Sequence, residues 1–415
     1  MRTMKRVVIV ASGQSYRTGD FVRAAELLQV EAVVATDVTP PVPGPQLRVD
    51  LDDPESAARD IVSLTPVPDA VVAIDDQGVE VAARATRDLG LVHNPVAAVE
   101  ATRDKNLMRR LLAEAGVPQP RFASAGTGKV AGVAAEIGFP AVVKPTGLSA
   151  SRGVVRVDGA AAARRAESRI RAMLAAAELV ADQPLLVEEY LPGNELVVEG
   201  LLVNGGLEPL ALIDKPDPLE GPFFEETLLV TPSRLPDATQ EASIRLARAG
   251  AEALGLQHGP VHAEVRVSPG GEVKMLEVAA RSIGGLCGRA LSFGLLGESL
   301  EVMVLRSALG MPTRDTTPSR PATGVLMLPI PATGILTGIE GIEDVLAMES
   351  VDDVTQTIAA GRRVEALPEG DRYLGFVFAG GANPDSVEAT LREAGAALTV
   401  VIDGEEMRKP VLPGD

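Results

Sequence analysis

The sequence contains a single cysteine, no tryptophan and only three tyrosines among its 415 residues. The lone Cys287 excludes a disulfide framework and a cysteine metal cluster, and it favours a cytoplasmic location. Positive charge is also scarce, because 39 lysines and arginines face 57 aspartates and glutamates, giving a net charge of −18. A protein that binds nucleic acid along its phosphates needs a basic face, so this balance argues against a nucleic-acid partner.

Long apolar runs are missing as well, so the sequence predicts no membrane-spanning helix. The start, MRTMKRVVIV, has positive charge before an apolar run too short for a signal peptide, and it is typical of a first buried strand. A composition of 46% hydrophobic and 23% charged residues is that of a globular protein. The length predicts two or three domains.

The first hundred residues alternate between short apolar runs and helical patterns. Strands are predicted at 7–10, 33–34 and 70–74, and helices at 19–29, 54–64 and 78–89. This order predicts a small parallel α/β domain over 1–103, with the Pro-rich run TPPVPGP (39–45) as a surface connection. The loop ASGQSYRTG after the first strand lacks the G-x-G-x-x-G spacing of a dinucleotide site.

The rest of the chain predicts an α+β region over 104–315 and a separate α+β C-terminal domain over 316–415, after a composition shift at Pro312 and Pro318. The predicted helices of the middle region are 103–115, 160–180 and 237–254. Its predicted strands are 141–144, 154–157 and 185–190, followed by hairpins at 195–213 and 261–279.

Residues 260–285 read PVHAEVRVSPGGEVKMLEVAARSIGG, in which two alternating runs flank Gly270-Gly271 and predict a two-residue hairpin turn. That register places Glu264 opposite Glu277, and Val265 opposite Leu276. Because side chains alternate along a strand, one face of the ribbon is apolar. The other face is predicted to carry His262, Glu264, Arg266, Met275, Glu277, Ala279 and Arg281.

Two glutamates that face each other across a strand pair repel. A divalent cation between them removes this repulsion, and Mg²⁺ prefers one or two carboxylates together with phosphate oxygens. Glu264 and Glu277 are therefore candidate metal ligands. A solvated, charged hairpin face is the plain alternative.

The stretch FPAVVKPTGLSASRGV (139–154) places a lysine and a loop of small residues between two apolar runs. In a P-loop the lysine follows the glycines and a helix begins, but here Lys144 precedes the loop and a strand follows it. The pattern predicts a hairpin flap that closes over phosphates through backbone N–H groups, with an ordinary flexible loop as the alternative. Those N–H groups belong to Gly147, Ser149, Ser151 and Gly153.

These features occur in one order: Lys105 after a capping Asp104, then Lys144 with its flap, then LLVEEYLPGNE (185–195), then the two-glutamate hairpin. The series resembles the ATP-grasp superfamily, over roughly residues 1–310. The resemblance implies a core over 104–315 in which two α+β subdomains grip ATP, with a lid subdomain at about 120–190. It also implies ATP and Mg²⁺ (or Mn²⁺) as cofactors, and a homodimer is common among such enzymes.

By this resemblance, Lys105 and Lys144 contact the α- and β-phosphates, and the flap covers the β- and γ-phosphates. Glu264 and Glu277 would bind Mg²⁺. The adenine and ribose would be contacted, largely through backbone groups for the base, by Glu188, Glu189, Tyr190, Leu191 and Glu195.

The sequence departs from the family pattern at one position. ATP-grasp enzymes usually have Glu-x-Asn-x-Arg on the second strand, whereas this chain has Ala279 where the asparagine ligand is expected. The predicted register places His262 across from Ala279, and a neutral imidazole there would replace the ligand or contact substrate. A packed histidine is the alternative.

In this superfamily a carboxylate attacks the γ-phosphate to give an acyl phosphate and ADP, and an amine or another nucleophile then attacks the acyl carbon. The enzyme contributes positioning and charge stabilisation. Arg281 and the backbone of Gly284 and Gly285 are predicted to stabilise the transferring phosphoryl group and the later oxyanion. His262 is the fourth catalytic candidate.

Further segments resemble the L-amino acid ligases, the bacilysin-type dipeptide synthetases. They are EVAARSIGGLCGRAL (277–291), DKPDPLEGPFFEETLLVTPS (214–233) and an appended C-terminal domain. This resemblance implies carboxylate and amine substrates that are amino acids, with Lys215, Glu225 and Glu226 near their pockets. A charged surface loop is the alternative for these three residues.

Two other functions stay open on the sequence. One is a carboxylase-like or purine-pathway ATP-grasp ligase, although the sequence has no Met-Lys-Met biotinyl motif. The other is a non-catalytic nucleotide-binding regulatory module, which the missing asparagine favours. The retained Arg281 argues against the module, because a protein that only binds nucleotide does not need it.

Overall fold

The computed structural model describes residues 4–39, 42–292, 296–312 and 320–407. Two parts of the predicted organisation lie outside these ranges: Pro40-Pro41 of the Pro-rich run, and residues 316–319 at the predicted C-terminal boundary. The described strands form four sheets, one parallel and three antiparallel, as the predicted combination of α/β and α+β regions requires. Within the described ranges, no helix has the length and apolar character needed to cross a bilayer.

The N-terminal part is a four-stranded parallel sheet in the order β3-β2-β1-β4. Its strands are β1 (Arg6–Val10), β2 (Glu31–Thr36), β3 (Gln46–Arg48) and β4 (Ala70–Ala73), and its helices are α1 (Thr18–Leu27), α2 (Pro54–Val62) and α3 (Val79–Asp88). Val7 and Ile9 pack into one core cluster and Val8 and Val10 into another. The strand is buried on both faces, which explains its unbroken apolar run.

Asp104 separates two helices, α4 (Val96–Arg103) and α5 (Lys105–Glu114). Its carboxylate accepts hydrogen bonds from the N–H groups of Asn106 and Leu107 at 2.8 and 3.2 Å, so it caps α5. The predicted helix over 103–115 is α5, whereas α4 was not predicted. The cap makes Lys105 the first helical residue and fixes where its side chain starts.

The lid subdomain predicted at about 120–190 is an antiparallel sheet with two helices. Its elements are β5 (Phe122–Ala125), α6 (Val130–Ile137), β6 (Ala141–Lys144), β7 (Val155–Val157), α7 (Ala160–Ala176) and β8 (Leu185–Glu189). The strand order is β5-β8-β6-β7, and β6 and β7 pair directly. The loop 145–154 therefore joins two antiparallel strands, as the flap prediction requires.

The centre of the molecule is an eight-stranded sheet in the order β13-β12-β9-β10-β11-β14-β18-β16. Its first part comprises β9 (Asn194–Val203), β10 (Gly206–Lys215), β11 (Leu228–Thr231), α8 (Asp237–Leu254), β12 (Gly259–Val267), β13 (Val273–Ala279), α9 (Gly288–Ala290) and α10 (Leu300–Ala308). Asn204 and Gly205 turn β9 into β10 with φ angles of 51° and 79°. A two-residue turn with both φ values positive suits the twist of a hairpin.

The C-terminal part extends that same sheet with three of its strands. It comprises β14 (Ala322–Leu328), β15 (Gly334–Glu340), α11 (Ile342–Leu346), β16 (Val351–Gln356), β17 (Arg363–Val364), β18 (Gly375–Gly381), α12 (Pro384–Ala397), β19 (Thr399–Ile402) and β20 (Glu405–Met407). Its other four strands form the fourth sheet, in the order β17-β15-β19-β20. Strand β14 pairs with β11, and Met327, Phe376 and Phe378 pack in the core cluster that contains Val7. The predicted division at 315/316 is therefore not a break in the sheet.

The β12–β13 hairpin has the predicted facing pairs, Glu264 with Glu277 and His262 with Ala279. The predicted two-residue turn is wrong, because the strands end at Val267 and Val273 with a longer loop between them. A bulge at Leu276 adds one residue to β13 and restores the register.

The bulge also exchanges two side chains between the faces of the ribbon. Val265 lies opposite Met275 rather than Leu276, and Met275 is fully buried in the core, so its predicted place on the polar face is wrong. Arg109, itself 1% exposed, holds the bulge by donating to the carbonyl oxygens of Leu276 at 2.6 Å and Met275 at 3.5 Å.

We predict that a chain truncated after residue 315 does not fold as a stable unit. Truncation removes β14 and leaves the edge of β11 unpaired, and it also exposes the core that Met327, Phe376 and Phe378 cover. The expected result is aggregation or a non-cooperative thermal transition, measured by circular dichroism against the full chain. A soluble truncated chain with a cooperative transition at the same temperature would contradict the shared sheet.

Candidate active site

A cavity of about 430 Å³ lies where the N-terminal part, the lid, the central sheet and the C-terminal part meet. The carboxyl ends of β1 and β4 supply one wall, as is usual for parallel sheets. The flap covers another side, and the polar face of the β12–β13 hairpin forms the floor. The predicted site residues that line it are Lys105, Lys144, Gly147, Ser149, Ser151, Glu188, Glu189, Leu191, Glu195, Lys215, Glu226, His262, Glu264, Glu277, Arg281, Gly284 and Gly285.

Lys144 sits at the base of the flap with its ammonium 2.6 Å from the Glu188 carboxylate. Arg109 donates from Nε to the other oxygen of Glu188 at 2.5 Å. Burial alone would raise the pKa of Glu188, but Arg109 and Lys144 outweigh burial and hold it at about 2. The Glu188 side chain is therefore an internal counter-ion for Arg109 and Lys144. Only the backbone groups of Glu188 remain for the predicted contact with an adenine ring.

Lys105 contacts the flap directly. Its ammonium donates to the Leu148 carbonyl oxygen of the flap at 2.9 Å and to the Glu277 carboxylate at 3.2 Å. Both lysines that are predicted to bind phosphate thus lie beside the flap. Each forms an ion pair with a glutamate in this structure.

Lys215 occupies the centre of a group of three carboxylates. Its ammonium lies 2.5 Å from Glu195, 2.6 Å from Glu226 and 2.9 Å from Glu264. Burial opposes the charge on Lys215, but the three carboxylates outweigh burial and raise its pKa well above the ordinary value. Candidate ligand oxygens of the three glutamates all lie within 4.8 Å of one another, so the ammonium fills a space suited to a cation.

His262 lies between two carboxylates, and these contacts favour a charged ring over the neutral ring expected from the sequence. Its Nδ1 is 2.9 Å from Glu199 and its Nε2 is 3.3 Å from Glu264. Burial would lower the pKa of His262, but the hydrogen bonds to Glu199 and Glu264 outweigh it and raise the pKa to about 9. An imidazolium donates from both nitrogens and has no lone pair for a metal.

Arg281 is held by a residue of the N-terminal part. The Arg281 Nε lies 3.0 Å from Asp76, and Arg103 approaches the other oxygen of Asp76 at 3.5 Å. Burial would raise the pKa of Asp76, but Arg281, Arg103 and Lys105 outweigh burial and lower it. The guanidinium of Arg281 therefore points into the cavity with one side fixed by a charged carboxylate.

The loop after Arg281 is fixed by two buried charged groups. Arg17 donates to the Ser282 hydroxyl at 2.9 Å and to the Ile283 carbonyl oxygen at 2.8 Å. The Glu199 carboxylate, which is completely buried, accepts the Ile283 N–H at 3.0 Å. This bracing presents the Gly284-Gly285 backbone to the cavity, and Gly285 has a φ of 58°, a left-handed value that glycine adopts readily.

The inner end of the cavity is apolar. It is lined by Val197, Leu229, Ile283, Cys287 and Met327, with Tyr16 and Tyr373 nearer the opening. Burial raises the pKa of Cys287 to about 12, so its sulfur is a neutral thiol that packs 3.6 Å from the Met327 sulfur. The cavity thus has a charged end below the flap and an apolar end beneath the C-terminal strands.

Three predicted site residues do not line the cavity. The Gly153 N–H donates to the Pro368 carbonyl oxygen at 3.3 Å, and a side chain there would meet Pro145, so Gly153 shapes the flap. Tyr190 packs under the guanidinium of Arg156, whose central carbon lies 4.5 Å from the ring centroid. Burial raises the pKa of Glu225 to about 7, yet it lies outside the lining.

Sequence reasoning missed the residues that orient the site, namely Arg17, Asp76, Arg103, Arg109 and Glu199. One signal was present, since Asp76 lies in the turn just beyond the end of β4 at Ala73, and the carboxyl ends of parallel strands gather functional groups. The partners of these residues lie far along the chain, as with Arg17 and Ser282, which are 265 positions apart. A single sequence does not show such pairs.

Comparison with known proteins gives two family matches. Residues 137–290 match the model of the ATP-grasp domain, and residues 326–403 match that of the L-amino acid ligase C-terminal domain 2. Alanine–anticapsin ligase of Bacillus subtilis (strain 168) is 30% identical over 233 residues, which are 52% of this chain and 49% of that protein. The chain therefore spans about half the length of this curated relative.

Solved structures agree with these matches. The crystal structure of an L-amino acid ligase from Bacillus licheniformis has a TM-score of 0.80 at 25% identity, covering 97% of this chain and 100% of that one. The biotin carboxylase domain of a 2-oxoglutarate carboxylase from Hydrogenobacter thermophilus, solved with MgADP, ADP and bicarbonate, has a TM-score of 0.70. It is 15% identical and covers 97% of this chain and 92% of that one, which shows the shared fold alone.

These matches confirm the predicted resemblance to the ATP-grasp superfamily and to the L-amino acid ligases. They agree with the predicted class of enzyme, an ATP-grasp ligase.

We predict that Glu188→Gln destabilises the protein by about 3 kcal/mol at neutral pH, because it leaves Arg109 and Lys144 buried without a counter-charge. The folded-state pKa of about 2 lies below the ordinary 4.5, so the wild-type contribution is complete above pH 4.5. It declines as the pH falls below 4.5 and is lost as the pH falls through about 2. Denaturant unfolding of the wild type and of Glu188→Gln between pH 7 and pH 3 measures the difference in their free energies of unfolding. This difference should become smaller as the pH falls.

The neighbouring Glu189→Gln is the matched control. Glu189 pairs with Arg121, whose side chain is 65% exposed, so this change should cost less than about 1 kcal/mol. Equal losses in the two variants would contradict the buried counter-ion assigned to Glu188.

Proposed function

We propose that this chain, an ATP-grasp protein with an L-amino acid ligase C-terminal domain, is an ADP-forming carboxylate–amine ligase that joins amino acids. The observation that carries the proposal is the convergence in one cavity of two lysines, two facing glutamates, and an arginine followed by a braced glycine loop. A phosphoryl-transfer site followed by an acyl-transfer site needs these groups together.

Lys105 and Lys144 would bind the phosphates of ATP, with the flap closing above them. Each ammonium now pairs with a glutamate, and phosphate oxygens offer the same kind of acceptor with more charge. The backbone of Glu189 to Leu191, at the hinge between lid and central sheet, would contact the base. Glu195 would contact the ribose.

Glu264 and Glu277 would hold Mg²⁺, because both carboxylates face the cavity from directly opposed strand positions. The donor set fits a hard cation, since it consists of carboxylate oxygens and a third glutamate, Glu226, lies close to Glu264. Bound Mg²⁺ would neutralise charge on the β- and γ-phosphates.

The proposed chemistry has two steps. An oxygen of the substrate carboxylate attacks the γ-phosphorus, the bond from that phosphorus to the β,γ-bridging oxygen breaks, and ADP leaves. The amine nitrogen of the second substrate then attacks the acyl carbon and loses a proton, and inorganic phosphate leaves. Arg281 and the Gly284-Gly285 backbone would stabilise the transferred phosphoryl group and then the oxyanion.

The apolar end of the cavity supports a carboxylate substrate with an apolar side chain. Leu229, Cys287 and Met327 surround the space that such a side chain would fill. Glu226 at the border of this space would bind a positively charged amino group. The relatives named as alanine–anticapsin ligase and L-amino acid ligase support amino acids as the substrate class.

The test is to incubate the purified protein with Mg-ATP and pairs of L-amino acids, with ADP and AMP quantified and new amides sought by mass spectrometry. We expect ADP only with particular pairs, together with a product that lacks one water. ADP release with bicarbonate alone would replace the proposal with a carboxylase-like ligase. ATP binding without turnover on any substrate would replace it with a nucleotide-binding module.

We predict that Arg281→Ala lowers kcat by about 10²–10³, as expected for the loss of one donor to a developing negative charge. The matched control is Arg289→Ala, because Arg289 is also partly buried but pairs with Asp20 outside the cavity lining. An Arg281→Ala effect below tenfold, or equal effects of the two variants, would remove Arg281 from the proposed role.

We predict that Asp76→Asn lowers kcat about tenfold with little change in the KM for ATP, because the variant frees the Arg281 guanidinium without touching nucleotide. Asp76→Glu keeps the charge and should recover part of the rate. Steady-state kinetics on folded variants of matched melting temperature measure both. A loss confined to KM would show that Asp76 contacts substrate and does not position Arg281.

A further inference from the structure

A second cavity, of about 300 Å³, lies on the other side of the segments that carry Asp76, Arg103 and Arg281. Its walls come from β4, α3, α4, the start of β12 and α10. The wall residues are Val71, Val72, Ala73, Val79, Ala82, Ala83, Val99, Leu202, Ala280, Val304 and Ala308 among others. Its volume reaches the lower end of the range for small-molecule sites, and its lining is mainly apolar.

This cavity is separate from the main one, because the two share no lining residue. The small cluster of Val79, Ala83 and Val99 lies beside it, with Ala73 and Ala280 packed against that cluster. These side chains have an incomplete set of neighbours, since one side of the cluster faces the cavity. A molecule that fills the space would restore the missing contacts.

Two of the three histidines in the sequence line this cavity, His93 and His258. His93 donates from Nδ1 to the Leu91 carbonyl oxygen at 2.9 Å, so Nε2 is the ring nitrogen that is left for a ligand. The His258 ring makes no hydrogen bond to any residue that the structure describes. Burial, with a smaller effect of His93, lowers the pKa of His258, so its ring is neutral at pH 7.

The position of His258 is fixed by a side chain of the N-terminal part. The Asn94 amide donates to the His258 carbonyl oxygen at 2.8 Å, and its oxygen accepts the His258 N–H at 2.9 Å. The histidines therefore border the apolar space as anchored groups with ring nitrogens left for a ligand. The entrance also carries exposed apolar side chains, since Val92 is 72% and Val203 47% exposed.

We propose that this second cavity is a binding site for a compact, mainly apolar molecule with one hydrogen-bond donor, distinct from the nucleotide cavity. The apolar body would fill the space against Val79, Ala83 and Val99, and the donor would bond to His258 or His93. The occupant would contact Ala280, which precedes Arg281 in the sequence, and Ala73, which precedes the Ile74–Asp76 turn.

Indole is a suitable probe, because it combines a small apolar ring system with a single N–H donor. The protein has no tryptophan, so indole fluorescence excited beyond the tyrosine absorption reports the probe alone. We expect saturable binding at one site with a Kd of roughly a millimolar or below. Benzofuran, which has nearly the same shape but no donor, should bind about tenfold more weakly when it competes with indole.

Ala308→Phe is the blocking variant. Ala308 is exposed at the end of α10 and borders the entrance, so a phenyl ring there should exclude indole without disturbing the core. Ala172→Phe is the matched control, because Ala172 is an exposed alanine in α7, far from this cavity in the lid. His258→Ala should weaken indole about tenfold and leave benzofuran unchanged.

Saturating Mg-ATP separates the two cavities. Indole that remains bound in its presence, is lost in Ala308→Phe and is retained in Ala172→Phe establishes the second site. Displacement by Mg-ATP would place the probe in the main cavity and overturn the proposal. Absence of saturable binding, or equal binding to the wild type and to Ala308→Phe, would overturn it as well.

Discussion

Mutual neutralisation of buried charges is the constraint on which the main cavity depends. Lys144 pairs with Glu188, Lys105 pairs with Glu277, and Arg281 pairs with Asp76. Lys215 forms ion pairs with three glutamates, Glu195, Glu226 and Glu264. Removing one partner would leave a charge buried without compensation, which is costly. The same pairs leave each of these buried charges with a partner in the absence of nucleotide. Under the proposed function, Mg-ATP would bring an anion for the lysines and a cation for the carboxylates, so these pairs would exchange partners on binding.

The main cavity is built from several parts of the chain, because the residues that line and orient it come from the N-terminal, central and C-terminal parts. Asp76 and Arg17 reach from the N-terminal sheet to the Arg281 loop, and Met327 closes the apolar end from the C-terminal strands. The flap contacts the C-terminal part through the Gly153 N–H, which donates to the Pro368 carbonyl oxygen, and helix α7 does so through the Arg169–Glu369 ion pair at 2.6 Å. The lid therefore contacts the C-terminal part as well as the central sheet.

The sequence predicted local features well, since they depend on neighbours along the chain. Lys144 before the flap, Glu264 facing Glu277 and the cap at Asp104 were visible in spacing and side-chain chemistry. The predicted pairing of Glu264 with Glu277 is present although the predicted two-residue turn is wrong, because the bulge at Leu276 compensates for the different loop length. Nothing local marks that bulge, which is held by Arg109 from another helix. The sheet shared across residue 315 was hidden for the same reason, as strand pairing between β11 and β14 is a long-range property.

The residue at position 279 affects the distribution of charge on the β12–β13 hairpin. Opposite it, His262 is held between Glu199 and Glu264, and its positive charge offsets theirs. An asparagine at 279 could offer a ligand oxygen but no charge, whereas the imidazolium offers charge but no ligand atom. In this structure Glu264 accepts a hydrogen bond from Lys215 at 2.9 Å and lies 3.3 Å from the His262 Nε2. The loop after Arg281 is joined to this hairpin by one buried carboxylate, because Glu199 contacts the His262 ring and also accepts the Ile283 N–H.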